Sequence, residues 1–254
     1  MTEPAGEIGV ELCETERAIP HQRPALRIPN LNKFYGEIMK TLKKLTALVL
    51  IIAALATCLV GCNKNPLKDY EIDESTEKKD FYYVAMAVKN HGIIIVELDR
   101  RSAPITVDNF VKLVREGFYD GLTFHRVIEG FMIQGGDPNA DGTGGSDEKI
   151  FGEFLYNGWY NTIPHERGVI SMARSDDYDS ASSQFFICNA STGNVGALDF
   201  RYAAFGHVVE GMDVVDSITS TTAKYGDSNG AISKKKKQAV ITEMKVIKYT
   251  VNNK

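Results

Sequence analysis

The run Phe124 to Pro138 (FHRVIEGFMIQGGDP) concentrates the side chains in this sequence that are equipped for chemistry. Arg126 carries a guanidinium that stays protonated and offers its N–H donors in a fixed fork, which suits it to hold an electron-rich atom without passing a proton. Gln134 stands two positions beyond Met132, so in an extended segment the two side chains leave the same face. His125 invites a general-base reading, but its expected job is structural. Each has a plainer use: arginine pairs with surface carboxylates, and Phe131 and Met132 in a β-type run are core residues by type. The end of the run opens a second pattern. Asp137, Asn139, Asp141, Gly142 and Glu148 satisfy the EF-hand spacing D-x-[DN]-x-[DN]-G-x5-E. An EF-hand loop joins two helices, whereas this one follows a β-type run and is crowded by Gly142, Gly144 and Gly145. Calcium binding is therefore not expected, and no metal or cofactor is implied.

Other chemistry is sparse. The sequence contains no G-x-S-x-G, no H-E-x-x-H and no phosphate loop. Cys13, Cys58, Cys62 and Cys188 match no zinc spacing and make no disulfide framework. Cys188 closes the apolar run Phe185-Phe186-Ile187 and reads as a small buried hydrophobe. With 254 residues, 43% of them hydrophobic, the chain is long enough to bury a core, and its net charge of -4 removes the electrostatic reason to expect nucleic acid. The one basic run, Lys234 to Lys237, sits between a Gly-containing turn and an alternating apolar segment, as a solvated loop or an edge guard would.

The elements that must position these residues are mostly short strands. Tyr82 to Lys89 and Gly92 to Leu98 are β-type runs separated by Asn90-His91, which predicts a hairpin. Val107, Phe110, Val111 and Val114 recur at helical spacing between Pro104 and Gly117, which predicts a helix over Thr106 to Gly117. Met212 and Val215 predict a shorter helix over Gly211 to Ser217. The rest is β-type and broken by glycines: Thr123 to Ile128, Phe131 to Gln134, Gly168 to Ala173, Gln184 to Cys188, Tyr202 to Val209 and Ala239 to Val246. Many short strands with turn signals predict a closed or sandwiched antiparallel β fold with few helices.

The N-terminal quarter carries an address. From Met39, Lys40, Lys43 and Lys44 precede an apolar stretch from Leu45 to Val60, the pattern of a secretory signal over residues 39–61. Its end, Leu59-Val60-Gly61-Cys62, resembles a bacterial lipobox, in which the cysteine thiol takes the lipid. The competing reading is an uncleaved membrane span. Both put the C-terminal domain outside, since the lysines precede the apolar segment. A secretory signal begins with its charged region, so residues 1–38 read as an upstream extension from a misassigned start. Residues 62–81, rich in Lys, Asp and Glu, are expected to be a flexible tether.

The signature run is similar to that of the cyclophilin family of peptidyl-prolyl cis-trans isomerases. DGTGG (Asp141 to Gly145), GVISMARS with SSQFFIC (Gly168 to Cys188) and ALDFRYAAFGHVVEGMDVVD (Ala197 to Asp216) match in the family's order. The resemblance covers residues 82–250. It implies a mainly β fold, a closed eight-stranded antiparallel barrel capped by two helices, acting without cofactor and as a monomer to isomerise proline-containing unfolded or exported polypeptides. It also implies a catalytic set of Arg126, Phe131 and Gln134. Met132, Phe186, Leu198 and Tyr202 are implied as the rest of a proline pocket, with Ala173, Arg174, Ser175 and Gln184 as substrate contacts.

The chain departs from the family pattern at Ala197, where a tryptophan is common, at Tyr202, where many members have histidine, and at Arg174, which replaces a common asparagine. Altered substrate preference and weak binding of cyclosporin, the family's cyclic-peptide inhibitor, are expected. Two readings from other classes compete with the enzyme: a non-catalytic peptide-binding holdase using the same groove, and a calcium-dependent adhesion domain built on the Asp137 loop.

Overall fold

The computed structural model of the protein describes residues 36–44, 65–191 and 193–250. Residues 36–44 are helical, exposed and part of a separate unit from the one that begins at Lys64. The expected signal stretch from Leu45 and the lipobox cysteine lie outside the described residues. Among the described residues no helix is long and apolar enough to cross a membrane.

The second unit is built on eight strands: β1 (Phe81–Val88), β2 (Gly92–Asp99), β3 (Thr123–Ile128), β4 (Met132–Gly135), β5 (Val169–Met172), β6 (Phe185–Cys188), β7 (Ala204–Glu210) and β8 (Ala239–Ile247). They close in the order β1-β2-β7-β5-β6-β4-β3-β8, and each neighbouring pair is antiparallel. This is the closed barrel that the resemblance implied, and closure leaves no strand edge free to recruit another chain. Inward positions of β1 (Val84, Met86, Val88) and β2 (Ile94, Val96, Leu98) fill the interior at the period of two that strands impose.

Two helices cap the barrel, α1 (Pro104–Arg115) and α2 (Met212–Thr222). The helix-spaced set Val107, Phe110, Val111 and Val114 is buried in the core. Phe110 meets Tyr119, Phe185 and Phe205 at ring separations of 5.0, 5.5 and 5.1 Å. Truncating a buried Phe of this kind to Ala costs about 3–5 kcal/mol. Pro104 occupies the first turn of α1, where its missing N–H leaves no bond unmade. The free amides of Ile105 and Thr106 are taken instead by the buried carboxylate of Glu153, at 3.0 and 2.7 Å. Burial raises the pKa of Glu153, opposed by those two N–H donors.

Residues 65–80 differ from the tether expected for 62–81. Leu67 is buried with Ala85, Ala87, Ile95 and Ile247, the outward side chains of β1, β2 and β8. The amide of Asp73 donates to Val246 O at 2.9 Å, and that of Lys248 to Glu71 O at 2.7 Å. Asp73, itself buried, pairs with Lys79 at 2.5 Å. Leu67, Tyr70 and Ile72 supply enough apolar area to dock the segment on the barrel wall, which is why β1 is buried on both faces.

One backbone feature stands out near the barrel rim. Phe200 holds φ at +65°, in the left-handed region that costs a non-glycine residue about 1–2 kcal/mol. It lies in a turn closed by Arg201 N donating to Leu198 O at 3.1 Å, and its own carbonyl accepts from Tyr156 N at 3.0 Å.

Candidate active site

β3 and β4 pair in register Arg126 with Gln134, so the two polar side chains stand side by side on one face of the barrel wall. Arg126 Nη1 donates to Gln134 Oε1 at 3.1 Å, and Nε donates to the backbone carbonyl of Asn229 at 2.8 Å. The amide of Gln134 donates onward to Gln184 Oε1 at 2.9 Å, and Gln184 Nε2 donates to Gly144 O at 2.7 Å and Gly142 O at 3.1 Å. Two of the guanidinium's five donors are thus spent on fixing the group, and no described residue takes the others. Half-burial lowers the Arg126 pKa, opposed by Tyr202 and Asp227, and a guanidinium of this intrinsic basicity remains a cation at neutral pH.

The loops behind these groups are built as supports. Asp137, fully buried, accepts from Asn139 N at 2.8 Å through one oxygen, and from Asp141 N and Gly142 N at 3.0 and 2.5 Å through the other. A Cβ at Gly144 would stand 2.2 Å from Asp137 Oδ1, so only glycine lets the loop fold onto the carboxylate. The carboxylate is therefore consumed by backbone, and the EF-hand spacing describes a self-satisfied turn. Among the described residues no group of acids, histidines and cysteines is arranged to hold a metal ion.

Arg126 and Gln134 flank a cavity of about 430 Å³. Its apolar lining comes from Phe131, Met132, Ala173, Phe186, Leu198 and Tyr202, and Arg174 closes one side. Met132 and Phe186 belong to a small cluster with Cys188 and Val195, separate from the main core, which backs the floor. The ring of His165 stacks on Phe186 at 6.0 Å while bonding Asp199 and Ser171, each at 3.0 Å. Tyr202 meets Phe186 edge-on at 5.8 Å. Burial pushes the Cys188 thiol up to about 12, so behind the floor it is an inert packing group and no nucleophile.

Every residue expected at the site is brought to this face, but not to one cavity. Ser175 and Gln184 line a neighbouring pocket of about 230 Å³, which shares Gln134, Ala173 and Arg174 with the first. His125, expected to be structural, lines the main cavity. Burial lowers its pKa, opposed chiefly by Asp137, and neither ring nitrogen has a protein partner. A neutral, unanchored imidazole is a wall rather than a tuned base. The carbonyls of Asn229, Gly142 and Gly144 were not foreseen as anchors. Ala197 is exposed and does not reach the cavity; the single Trp159 spends its indole N–H on Ser102 O, at 2.9 Å.

The family model for cyclophilin type peptidyl-prolyl cis-trans isomerases matches residues 83–246. The chain belongs to the cyclophilin family. Two relatives make the distance concrete. A Helicobacter pylori peptidyl-prolyl cis-trans isomerase is 43% identical over 156 residues, which are 61% of this chain and 90% of that protein. Peptidyl-prolyl cis-trans isomerase A of Dickeya dadantii is 43% identical over 160 residues, covering 62% and 80%. Among solved structures, a Cryptosporidium parvum cyclophilin type isomerase superposes with a TM-score of 0.57 at 26% identity, over 67% of this chain and 99% of that one. The same Cryptosporidium parvum protein was also solved in the presence of the dipeptide Ala-Pro, and that structure superposes with a TM-score of 0.56. The activity of this cyclophilin is accordingly peptidyl-prolyl cis-trans isomerisation.

Proposed function

We propose that this cyclophilin isomerises X-Pro bonds of exported polypeptides at the outer face of a bacterial membrane, with Arg126 as the catalytic donor and Cys62 as the lipid anchor. Rotation about the peptide C–N bond is opposed by amide resonance worth about 18–20 kcal/mol. At the twisted geometry the conjugation is lost and the prolyl nitrogen regains a lone pair that neither planar isomer has. A cation aimed there binds the transition state in preference to both ground states, which is the requirement for catalysis. The observation that carries the reading is the Arg126–Gln134–Gln184 relay at the rim of an apolar cavity: the guanidinium is held at two points and keeps donors to spare. Phe131, Met132, Phe186, Leu198 and Tyr202 grip the proline ring and exclude water, so the donated bond acts in a poorly screened site. Gln134 positions the guanidinium. Ala173, Arg174, Ser175 and Gln184 meet the chain on either side. No proton moves.

The test compares wild type and Arg126→Ala in a prolyl-isomerisation assay on an Ala-Pro peptide. A donor bond to a charged group contributes about 1.5–3 kcal/mol, so kcat/KM is expected to fall by about tenfold to a hundredfold or more. Equal rates would leave a peptide-binding holdase. The address rests on the lipobox pattern and is tested separately, by incorporation of a labelled fatty acid into wild type and its loss in Cys62→Ser; incorporation into neither removes the anchor.

A further inference from the structure

Beside the cavity the barrel displays large apolar side chains in an unusual concentration. Among the described residues, all such exposed side chains of the barrel unit except Ile105 and Tyr225 belong to the loop 151–160, to Phe200, which is bonded to it, or to Tyr178, which is in ring contact with it. Tyr160 is 81% exposed, Tyr156 55%, Phe200 50% and Leu155 44%. The loop is held firmly. Glu153 grips the start of α1, Asn161 Nδ2 donates to Ala204 O at 2.7 Å, Trp159 is tied to Ser102 O, and Asn157 Nδ2 donates to Asp179 at 2.8 Å. Rigid, displayed aromatics on a bonded frame are the composition of a recognition surface.

Two observations join this surface to the cavity. The turn that presents Phe200 has Leu198 at its start and is followed by Tyr202, both of which line the cavity. Phe200 holds its left-handed conformation with its carbonyl bonded to Tyr156 N, and Arg201 lies over the Tyr156 ring at 5.1 Å. Arg174 makes the second join: its guanidinium sits over Phe154, Tyr178 and Tyr202 at 5.1, 4.8 and 4.7 Å, while Nε and Nη2 donate to Arg201 O. A bulky residue kept in a strained conformation and aimed at solvent points to use rather than to packing. The border of the surface is acidic, with Asp176, Asp177 and Asp179 around Tyr178, which disfavours an anionic lipid surface.

From this continuity we infer that Phe200, Leu155, Tyr156 and Tyr160 form a shelf that binds aromatic or aliphatic residues flanking the proline in the same client polypeptide. The inference rests on the cavity being the proline site and deepens it by naming the substrate class: unfolded chain with apolar neighbours to its prolines.

The experiment uses two peptides, a short one with Ala-Pro alone and a longer unstructured one with the same Ala-Pro flanked by Phe and Leu. The proteins are the full chain and two separate variants, Phe200→Gly and Tyr160→Ser, with melting curves confirming that each is folded. On the short peptide both variants should match wild type. On the flanked peptide KM should rise about fivefold in each, with kcat unchanged and a parallel loss of affinity in fluorescence anisotropy. Unchanged KM on the flanked peptide, or equal losses on both peptides, overturns the shelf. So does loss of binding to phosphatidylglycerol–phosphatidylcholine vesicles, or of self-association in sedimentation, with KM intact. A wild type inactive on both peptides would sink the isomerase reading alone, because anisotropy with the flanked peptide still decides the shelf.

Discussion

Asp137→Asn tests whether the site depends on a buried carboxylate that never touches the cavity. Asp137 holds three backbone amides, one on Oδ1 and two on Oδ2. An asparagine of the same shape keeps one oxygen and turns an NH2 group toward the remaining amides, so one or two charge-assisted bonds are lost and a donor faces a donor. At about 1.5–3 kcal/mol for a bond to a charged group, partly relieved by loop relaxation, the expected destabilisation is about 2–4 kcal/mol. That leaves most domains folded. The loss propagates, because Gly142 and Gly144 lend their carbonyls to Gln184, which holds Gln134, which holds Arg126. Loosening one neutral hydrogen bond in that chain is worth about 1 kcal/mol, so kcat/KM should fall about fivefold with KM little changed. The readouts are the urea midpoint and isomerase kinetics, each with and without millimolar calcium. Calcium should shift neither, since both Asp137 oxygens are already occupied. A variant as stable as wild type would refute the argument, as would a wild type that calcium stabilises and Asp137→Asn abolishes.

Three further outcomes follow from the same geometry. Burial depresses the pKa of His125 and His165 below their ordinary 6.5, so the native state keeps them neutral while the unfolded chain protonates as pH falls. Stability is therefore full above about pH 6.5 and declines as pH drops through the depressed folded values, with a slope of up to about 1.4 kcal/mol per pH unit for each group. Urea midpoints at pH 7 and pH 5 should differ, and His125→Leu should remove part of the difference; a pH-independent midpoint contradicts this. Cys188 should label with a maleimide at least about a hundredfold more slowly in the native protein than in denaturant, because its thiol is buried and raised to about 12; equal rates would count against the floor described for the cavity. Cyclosporin should bind weakly, and Ala197→Trp should tighten it by about tenfold or more, since the exposed Ala197 stops short of the cavity and an indole in its place adds large apolar area and a donor beside Leu198; no change in the calorimetric affinity would show that this position is not the determinant.

How much of this was legible in the sequence depends on which group carries the information. The barrel strands and α1 were readable because their side chains alternate or recur on one face, and burial rewards that pattern directly: Val107, Phe110, Val111 and Val114 are all core. α2 runs on to Thr222, past the Ser217 at which the pattern ends. Thr219, Thr221 and Thr222 are poor helix formers whose hydroxyls bond carbonyls four residues back, which does not favour a helix, so the packing of buried Ile218, Thr219 and Thr222 sustains the extension. Residues 65–80 were obscured differently, by charges that outnumber the few apolar side chains that dock them.

The candidate site divides along the same line. Arg126, Gln134 and the apolar lining have side chains that a motif can record. Their anchors are the carbonyls of Asn229, Gly142 and Gly144, and every residue has a carbonyl, so no residue type marks the position. What marks it indirectly is the glycine that makes the carbonyl reachable. A Cβ at Gly230 would stand 2.4 Å from Ile128 Cγ1 and 2.8 Å from Val127 O, where the loop of Asn229 closes on β3. Gly230→Ala should therefore displace the Asn229 carbonyl from Arg126 Nε and lower kcat/KM, by about tenfold or more for one bond to a charged guanidinium, although the substituted residue touches neither cavity nor substrate. Kinetics on the short peptide read the effect. An unchanged kcat/KM in a variant whose melting point has fallen would show that the arginine keeps its aim without that carbonyl, and that Gln134 alone holds it.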